Sequence, residues 1–173
     1  MKKILLTGGL GYIGSHICVE LINKRYEVII IDNLSNSSKN SLDGIKKITG
    51  YKPKLYISDL RDKLSLLRIF KENKIESVIH LAGFKSVNES IEAPLSYYNN
   101  NINGTITLLE VMDQFDCKSI VFSSSATVYA SSNEMPISES APLAASSPYG
   151  SSKLVIERML QDLCSSDDDW RIS

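Results

Sequence analysis

Short runs of consecutive apolar residues alternate along the chain with longer stretches in which apolar residues recur at helical spacing. Runs of this kind are typical of strands that are buried on both faces, as in a parallel sheet covered by helices. The strands are predicted at residues 4–6, 28–31, 54–57, 78–81 and 119–122. The helices are predicted at residues 13–24, 41–48, 64–74, 105–115 and 148–163. This order predicts an α/β fold with a doubly wound parallel sheet and helices on both faces.

The 173 residues contain no internal repeat and no linker, so a single domain is predicted. The longest segment without a predicted element, residues 126–147, is rich in Ser, Ala and Pro and follows the fifth strand. Because ligands bind at the carboxyl ends of strands in open α/β sheets, we expect this segment to be functional. Residues 170–173 are predicted to begin a sixth strand.

Composition narrows the partners of this domain. The net charge of −1 offers no general attraction for nucleic acid or for an anionic membrane, so a small molecule is the predicted partner. No apolar run approaches the roughly 20 residues that span a bilayer. The three cysteines are widely separated and show no metal-binding spacing, which indicates reduced thiols in a cytoplasmic protein and no metal site.

Gly8, Gly11 and Gly14 lie between the first strand and the first helix in a GxxGxxG pattern. Gly8 permits a tight turn, Gly11 lets the backbone approach a pyrophosphate, and Gly14 lets the helix pack closely on the strand. The N-terminus of the helix adds free N–H groups and a positive dipole. On the glycines alone, a turn without a ligand is an equal alternative.

Asp32 ends the second predicted strand, 18 residues after Gly14. This is close to the spacing of about 20 residues expected for the carboxylate that binds the adenosine ribose in dinucleotide-binding folds. A carboxylate there accepts hydrogen bonds from both ribose hydroxyls and repels a 2′-phosphate. No Arg or Lys follows Asp32 until Lys39, so NAD is favoured over NADP.

Tyr149 and Lys153 form a Tyr-x-x-x-Lys motif near the start of the last helix. Their spacing of four places both side chains on one helical face. An ordinary phenol has a pKa of about 10 and is a poor base, whereas a nearby ammonium favours the phenolate. The motif alone is common on helix surfaces, but here it accompanies a dinucleotide-binding turn and three serines, residues 123–125, at the end of the fifth strand.

Strings of residues along nearly the whole chain carry a resemblance: TGGLGYIGSH from residue 7, DNL from 32, HLAGFK from 80, YYNNN from 97, NGT from 103, FSSSATVY from 122 and SPYG from 147. In these strings the chain resembles the extended short-chain dehydrogenase/reductase family, and within it the 4-epimerases of UDP-glucose and UDP-galactose. The resemblance implies a Rossmann-type, C-terminally truncated fold. Residues 1–173 would be the NAD-binding domain, with the C-terminal substrate-binding region absent.

The resemblance also implies the residues of a cofactor and substrate site. NAD would contact Gly8, Gly11, Tyr12, Ile13, Gly14, Asp32, Asn33, Asn36, Ser37, Asp59, Leu60, Leu81, Ala82, Lys85, Asn100, Tyr149 and Lys153. Ser125 and Tyr149 would bind the sugar at its 4-hydroxyl. Tyr149 would act as the base, with Lys153 and Ser125 as the other catalytic residues.

The implied reaction is NAD-dependent epimerisation at C4 of a UDP-hexose through a 4-keto intermediate, an isomerase step of galactose metabolism. A nucleotide-sugar 4,6-dehydratase is disfavoured, because such enzymes carry an acidic pair after the serine where this chain has Ala126 and Thr127. A related nucleotide-sugar 4-epimerase and a non-catalytic NAD-binding fragment both stay open. The resemblance also implies a homodimer, whereas packing or capping roles are predicted for His16 and His80.

Overall fold

A computed structural model describes residues 2–130 and 135–173. Six strands form one sheet: β1 (Lys3–Thr7), β2 (Glu27–Asp32), β3 (Lys54–Ile57), β4 (Ser77–His80), β5 (Ser119–Phe122) and β6 (Arg171–Ile172). All neighbouring strands are parallel, in the order β3-β2-β1-β4-β5-β6. The order reverses between β1 and β4, which confirms the predicted Rossmann-type, doubly wound sheet. The sixth strand lies where the sequence indicated it.

Seven helices accompany the sheet in the described residues: α1 (Tyr12–Asn23), α2 (Asn40–Thr49), α3 (Lys63–Asn73), α4 (Val87–Glu92), α5 (Pro94–Tyr98), α6 (Gly104–Gln114) and α7 (Pro148–Ser166). A π-helical turn (Asn99–Asn103) joins α5 to α6, and a 3-10 turn (Ala126–Val128) follows β5. The five predicted helices are α1, α2, α3, α6 and α7. No helix among the residues described combines the length and the apolarity needed to cross a lipid bilayer.

Two apolar clusters cover opposite faces of the sheet, and they explain the consecutive apolar residues of the strands. Ile29 and Ile31 of β2 pack into a cluster with residues of α3, α6 and α7. Val28 and Ile30, which alternate with them, pack into a second cluster with residues of α1 and α2. Because successive side chains of a strand point to opposite faces, a strand between two helical layers needs apolar residues at every position.

The segment predicted as a long loop has local structure in its described parts. The backbones of Tyr129 and Leu143 form an antiparallel bridge, and the N–H of Ala130 donates to the carbonyl of Pro142 at 2.8 Å. The N–H of Ala144 donates to the carbonyl of Val128 at 3.0 Å. The segment therefore folds back against the 3-10 turn, at the carboxyl end of β5.

Candidate functional site

A groove crosses the carboxyl ends of the central strands, where open α/β sheets bind ligands. Fifteen of the seventeen residues predicted to contact a cofactor line it: Gly8, Gly11, Tyr12, Ile13, Gly14, Asp32, Asn33, Asn36, Ser37, Asp59, Leu60, Leu81, Ala82, Lys85 and Asn100. Six other lining residues were not predicted: Ile31, Ser35, Ser58, Gly83, Phe84 and Ser123. Most of them adjoin a predicted residue in the sequence, which was the signal available for finding them.

At two glycines of the turn between β1 and α1, backbone atoms occupy the space that a side chain would need. Gly8 has a φ of +66°, and a Cβ there would lie 2.9 Å from the Cα of Ala82. A Cβ on Gly14 would lie 2.3 Å from the carbonyl oxygen of Gly8 and 2.8 Å from the Cα of Gly9. Gly14 therefore packs α1 closely on the turn itself, whereas the sequence argument expected its closest contact with the strand.

The N-terminus of α1 faces this groove. Its N-cap residue, Gly11, has no side chain, and no side chain of the described residues caps the helix. A Cβ on Gly11 would meet only one heavy atom within 4 Å, the carbonyl oxygen of Gly8 at 3.3 Å, among the residues described. Uncapped N–H groups and the positive end of the helix dipole favour an anion at this position.

Asp32 is buried at the end of β2 and organises the turns around it. One carboxylate oxygen accepts from the N–H of Leu10 at 3.0 Å. The other accepts from the N–H of Leu34 at 3.0 Å and from the hydroxyl of Ser37 at 2.7 Å. Leu34 has a φ of +60°, which is costly for a side chain of this kind, and the Asp32 contact supports it. Asp32 therefore serves as a turn residue and also lines the groove.

Asp59 is held by a cation that the sequence argument did not consider. Its carboxylate accepts from Nε and Nη2 of Arg61 at 2.7 and 2.8 Å, and from Nδ2 of Asn33 at 3.0 Å. The hydrogen bond from the Arg61 side chain is the main reason that the pKa of Asp59 lies well below its usual range. Because Arg61 already makes two bonds to one carboxylate, its charge is paired at this end of the groove.

A buried chain of hydrogen bonds joins β1, β4 and α6 beneath the groove. The hydroxyl of Thr7 accepts from the N–H groups of Leu81 and Ala82, both at 3.1 Å, and lies 2.7 Å from Nδ1 of His80. Since both lone pairs of Thr7 are occupied, its proton must go to Nδ1. Nε2 of His80 lies 2.9 Å from the hydroxyl of Thr105.

This arrangement requires a neutral His80 that carries its proton on Nε2. Burial, with a smaller contribution from the charge of Lys153, lowers the pKa of His80 to about 3. The packing role predicted for His80 agrees with these contacts.

Tyr149 and Lys153 are both buried near the start of α7. Ser147 caps this helix by accepting from the N–H of Gly150 at 3.1 Å, and Pro148 occupies its first turn. The ammonium of Lys153 donates to the carbonyl of Ser123 at 2.8 Å. Desolvation lowers the pKa of Lys153 to about 8, although Glu157 opposes the effect.

Ser125 caps the 3-10 turn, which packs directly on α7. Its hydroxyl oxygen accepts from the N–H of Thr127 at 3.2 Å and from the Thr127 hydroxyl at 3.0 Å. A Cβ on Gly150 would lie 2.6 Å from the carbonyl oxygen of Thr127, so the 3-10 turn and the first turn of α7 are in contact. Thr127, which the sequence argument considered only as the absence of an acid, thus orients Ser125.

Asn101, in the π-helical turn, is a buried residue that sequence reasoning missed. Its amide oxygen accepts from the N–H of Phe84 at 2.8 Å and from the side chain of Asn100 at 2.9 Å. Its amide nitrogen donates to the carbonyl of Phe84 at 3.0 Å and to the hydroxyl of Ser152 at 3.1 Å. Asn101 therefore ties the rim of the groove to α7, within the Tyr-x-x-x-Lys motif.

Comparison with known proteins assigns this geometry to a family. The model of the family described as GDP-mannose 4,6 dehydratase matches residues 5–172. The chain belongs to this family. Among curated relatives, the chain is 51% identical over 170 residues to UDP-glucose 4-epimerase of Bacillus subtilis, which covers 98% of this chain and 50% of that protein. It is 50% identical over 174 residues to UDP-glucose 4-epimerase 2 of Arabidopsis thaliana, covering 99% and 50%.

Solved structures extend the family assignment to the fold. A UDP-glucose-4-epimerase from Stenotrophomonas maltophila, with bound NAD and formylated UDP-arabinopyranose, has a TM-score of 0.96 at 42% identity, covering 99% of this chain and 51% of that one. A UDP-glucose 4-epimerase from Bifidobacterium longum, in complex with NAD+ and UDP, has a TM-score of 0.96 at 46% identity with the same coverage. The predicted resemblance is confirmed. The chain spans about half the length of the curated relatives it matches.

The first prediction concerns the glycine turn. Gly14→Ala should lower the free energy of unfolding by about 1–3 kcal/mol, because backbone atoms meet the new Cβ and cannot easily move. Gly44→Ala, inside α2, is the matched control, since a Cβ there meets nothing within 4 Å in the described part of the chain. It should raise that energy by about 0.5–1 kcal/mol. Urea unfolding measures both, and equal effects of the two substitutions would contradict the packing described for Gly14.

The second prediction concerns His80 and pH. Below the ordinary histidine pKa of 6.5, His80 takes up a proton in the unfolded chain but not in the folded chain until about pH 3. The unfolded state then binds more protons, so His80 should make the free energy of unfolding fall as the pH falls, by about 1.4 kcal/mol per pH unit.

Urea unfolding between pH 7 and 4 tests this contribution. His80→Gln should show a shallower fall than the parent protein, by about 1.4 kcal/mol per pH unit. His16→Gln, at an exposed position, should keep the steep fall. The inference is wrong if the His80→Gln protein and the parent lose stability equally steeply.

Proposed function

We propose that this chain binds NAD and serves the NAD-dependent epimerisation of a UDP-hexose at C4, with UDP-galactose and UDP-glucose as substrates. One observation carries the proposal. Ser123 lines the groove, and its carbonyl accepts the hydrogen bond from the ammonium of Lys153. The groove that begins at the glycine turn therefore reaches the Tyr-x-x-x-Lys motif, as hydride transfer between a dinucleotide and a sugar requires.

The residues along the groove fit NAD in charge and shape. The uncapped start of α1 suits the pyrophosphate, and Gly11 leaves it open. Asp32 lies where its carboxylate can accept from the adenosine ribose, as Asn33 and Ser37 can with their own polar groups. Asp59 and Leu60 would lie beside the adenine. The NAD-bound relatives from Stenotrophomonas maltophila and Bifidobacterium longum support this assignment.

Bound NAD would supply the acceptor for the C4 hydride, giving a 4-keto sugar, and would return that hydride to either face. The chain's own residues handle the proton. Tyr149 would accept it from the 4-hydroxyl, and Ser125 would share a hydrogen bond with the same oxygen. The phenolate is the form of a tyrosine that accepts a proton, and Lys153 lies one helical turn from Tyr149 on the same face of α7. With its pKa of about 8, Lys153 is largely charged at neutral pH.

Two alternative functions are weaker. Dehydration, the reaction in the family's description, needs an acid after Ser125, but Ala126 has no polar side chain and the Thr127 hydroxyl donates to Ser125. NAD binding without catalysis is the second candidate. The chain spans about half the length of its curated relatives, and NAD binding needs only the groove described above.

We also propose a cytoplasmic homodimer. The three cysteines are free in the structure, as expected in a reducing compartment. Helices α5 and α7 contact each other, and each exposes a large apolar side chain, Leu95 and Val155 respectively. A partner that covered these side chains would remove them from water. Sedimentation velocity measures the assembly state.

Cofactor choice is the third prediction. Asp32→Asn keeps the shape of the side chain but removes its charge, so it should weaken NAD binding about tenfold and reduce the preference for NAD over NADP. Calorimetric titration with each dinucleotide measures both effects. Asp43→Asn, on an exposed part of α2, is the control and should leave both affinities unchanged. An Asp32→Asn protein with the parent's affinities would exclude the proposed ribose contact.

The fourth prediction concerns Tyr149 in the conversion of UDP-galactose to UDP-glucose. With added NAD, any conversion by the purified chain should depend on Tyr149, so that Tyr149→Phe slows it at least about a hundredfold. Tyr51→Phe, at an exposed tyrosine before β3, should have no effect. If NAD binds but no conversion occurs, the non-catalytic alternative holds. If Tyr149→Phe retains full activity, Tyr149 is not the base.

A further inference from the structure

Two successive residues at the end of β5 contact two residues of α7 that are one helical turn apart. The carbonyl of Ser123 accepts from the ammonium of Lys153 at 2.8 Å. The hydroxyl of Ser124 donates to the carboxylate of Glu157. The strand end is therefore attached to α7 at two points, of which the proposed catalytic motif uses only the first.

Glu157 continues the helical face that carries the motif. Residues 149, 153 and 157 are spaced by four, so their side chains follow one another along α7. Arg158 does not compete for Glu157, because Arg158 pairs with Asp162 at 3.2 Å on the exposed side of the helix. In the described residues, the carboxylate of Glu157 accordingly accepts from the strand end.

The carboxylate of Glu157 affects the charge of Lys153. Burial disfavours the charged ammonium, and Glu157 acts in the opposite direction. In the described residues, the elements that contact α7 carry these other titratable or charged groups: Glu89 and Glu92 on α4, Tyr97 and Tyr98 on α5, and Arg171 on β6. His80 on β4 is also close enough to interact with Lys153. His80 is neutral, and Glu89 accepts from the Tyr97 hydroxyl at 2.8 Å. Among these groups, no carboxylate raises the pKa of Lys153 as Glu157 does.

We propose that Glu157 is a positioning residue of this site: through Ser124 it holds α7 against the end of β5, and it places a negative charge one helical turn from the buried Lys153 ammonium. The role of Lys153 in catalysis rests on the function proposed above. The coupling between Glu157 and Lys153 does not, since it is a property of the unliganded chain.

NMR of the protein labelled with 13C,15N-lysine measures this coupling by titration of the Lys153 side chain between pH 6 and 11. The signal is identified by its loss in Lys153→Arg. Glu157→Gln keeps the size of the side chain and its ability to accept from Ser124, but removes the charge. It should lower the pKa of Lys153 by about 0.5–1, a three- to tenfold increase in the acid dissociation constant.

Three further variants separate charge from packing. Glu157→Asp keeps the charge and should restore most of the parent pKa of Lys153. Ser124→Ala keeps the carboxylate but removes its tether, so the pKa of Lys153 should fall by less than in Glu157→Gln. Asp162→Asn, which removes an exposed charge from the same helix, should leave it unchanged. A purely structural role for Glu157 would predict no change in Glu157→Gln, and that result would overturn the proposal.

NAD titration of the same proteins keeps the two proposals apart. If the parent does not bind NAD but Glu157→Gln lowers the pKa of Lys153, the function is wrong and the coupling stands. If the parent binds NAD and the pKa of Lys153 is the same in both proteins, the coupling is wrong and the function stands. Should Glu157→Gln fail to fold, the Glu157→Asp and Ser124→Ala titrations decide. Equal Lys153 pKa values in Ser124→Ala and the parent would then count against the tether.

Discussion

A buried ammonium must be compensated, and this requirement determines how the site is built around Lys153. The residue is 6% exposed, so little water reaches its charge. The carbonyl of Ser123 accepts a hydrogen bond from it, and the centre of the Phe122 ring lies 4.6 Å from the nitrogen. Because a lysine held away from water is costly without such partners, the end of β5 and the start of α7 can have only a narrow range of relative positions. The end of the groove depends on that arrangement.

The rim of the groove is fixed by polar side chains whose hydrogen bonds are satisfied inside the fold. Asn101 uses both donor hydrogens and accepts two hydrogen bonds, and two of its four contacts are to the backbone of Phe84. Thr7 similarly holds the N–H groups of Leu81 and Ala82. Low dielectric strengthens such bonds but makes an unpaired group expensive, so a shift of one rim segment would disturb several contacts together. The rim is therefore set by a network and not by individual residues.

Much of the fold and of the groove could be predicted from the sequence because their physical causes are local. Each of these causes can be recognised within a few residues of the sequence. They are the apolar residues on both faces of the strands, the spacing of Gly8, Gly11 and Gly14, and Asp32 at the end of a strand. Helices α4 and α5 were missed because they have six and five residues, too few for a period of 3.6 to be recognised.

The contacts that could not be predicted join residues far apart in the chain. Arg61 lies far from Asp32 in the chain, so its position in the sequence gives no sign that it meets Asn33 through Asp59. Asn101 gave only the weak signal of an Asn-rich run that is unsuited to a helix interior. Its partner Ser152 lies 51 residues away, and only the packed structure brings the two together.

Two nitrogen bases, His80 and Lys153, are buried close enough to influence each other, and burial together with the hydrogen bonds around His80 leaves the charge on Lys153. Burial, and to a smaller extent the Lys153 ammonium, lowers the pKa of His80, so the two do not share positive charge easily. A second proton on His80 would need Nδ1 to donate to Thr7, whose hydroxyl already accepts from Leu81 and Ala82. Protonation would therefore break the contacts that hold the rim. The same threonine that shapes the groove thus keeps His80 neutral and leaves the positive charge to Lys153, the side chain that lies one helical turn from Tyr149.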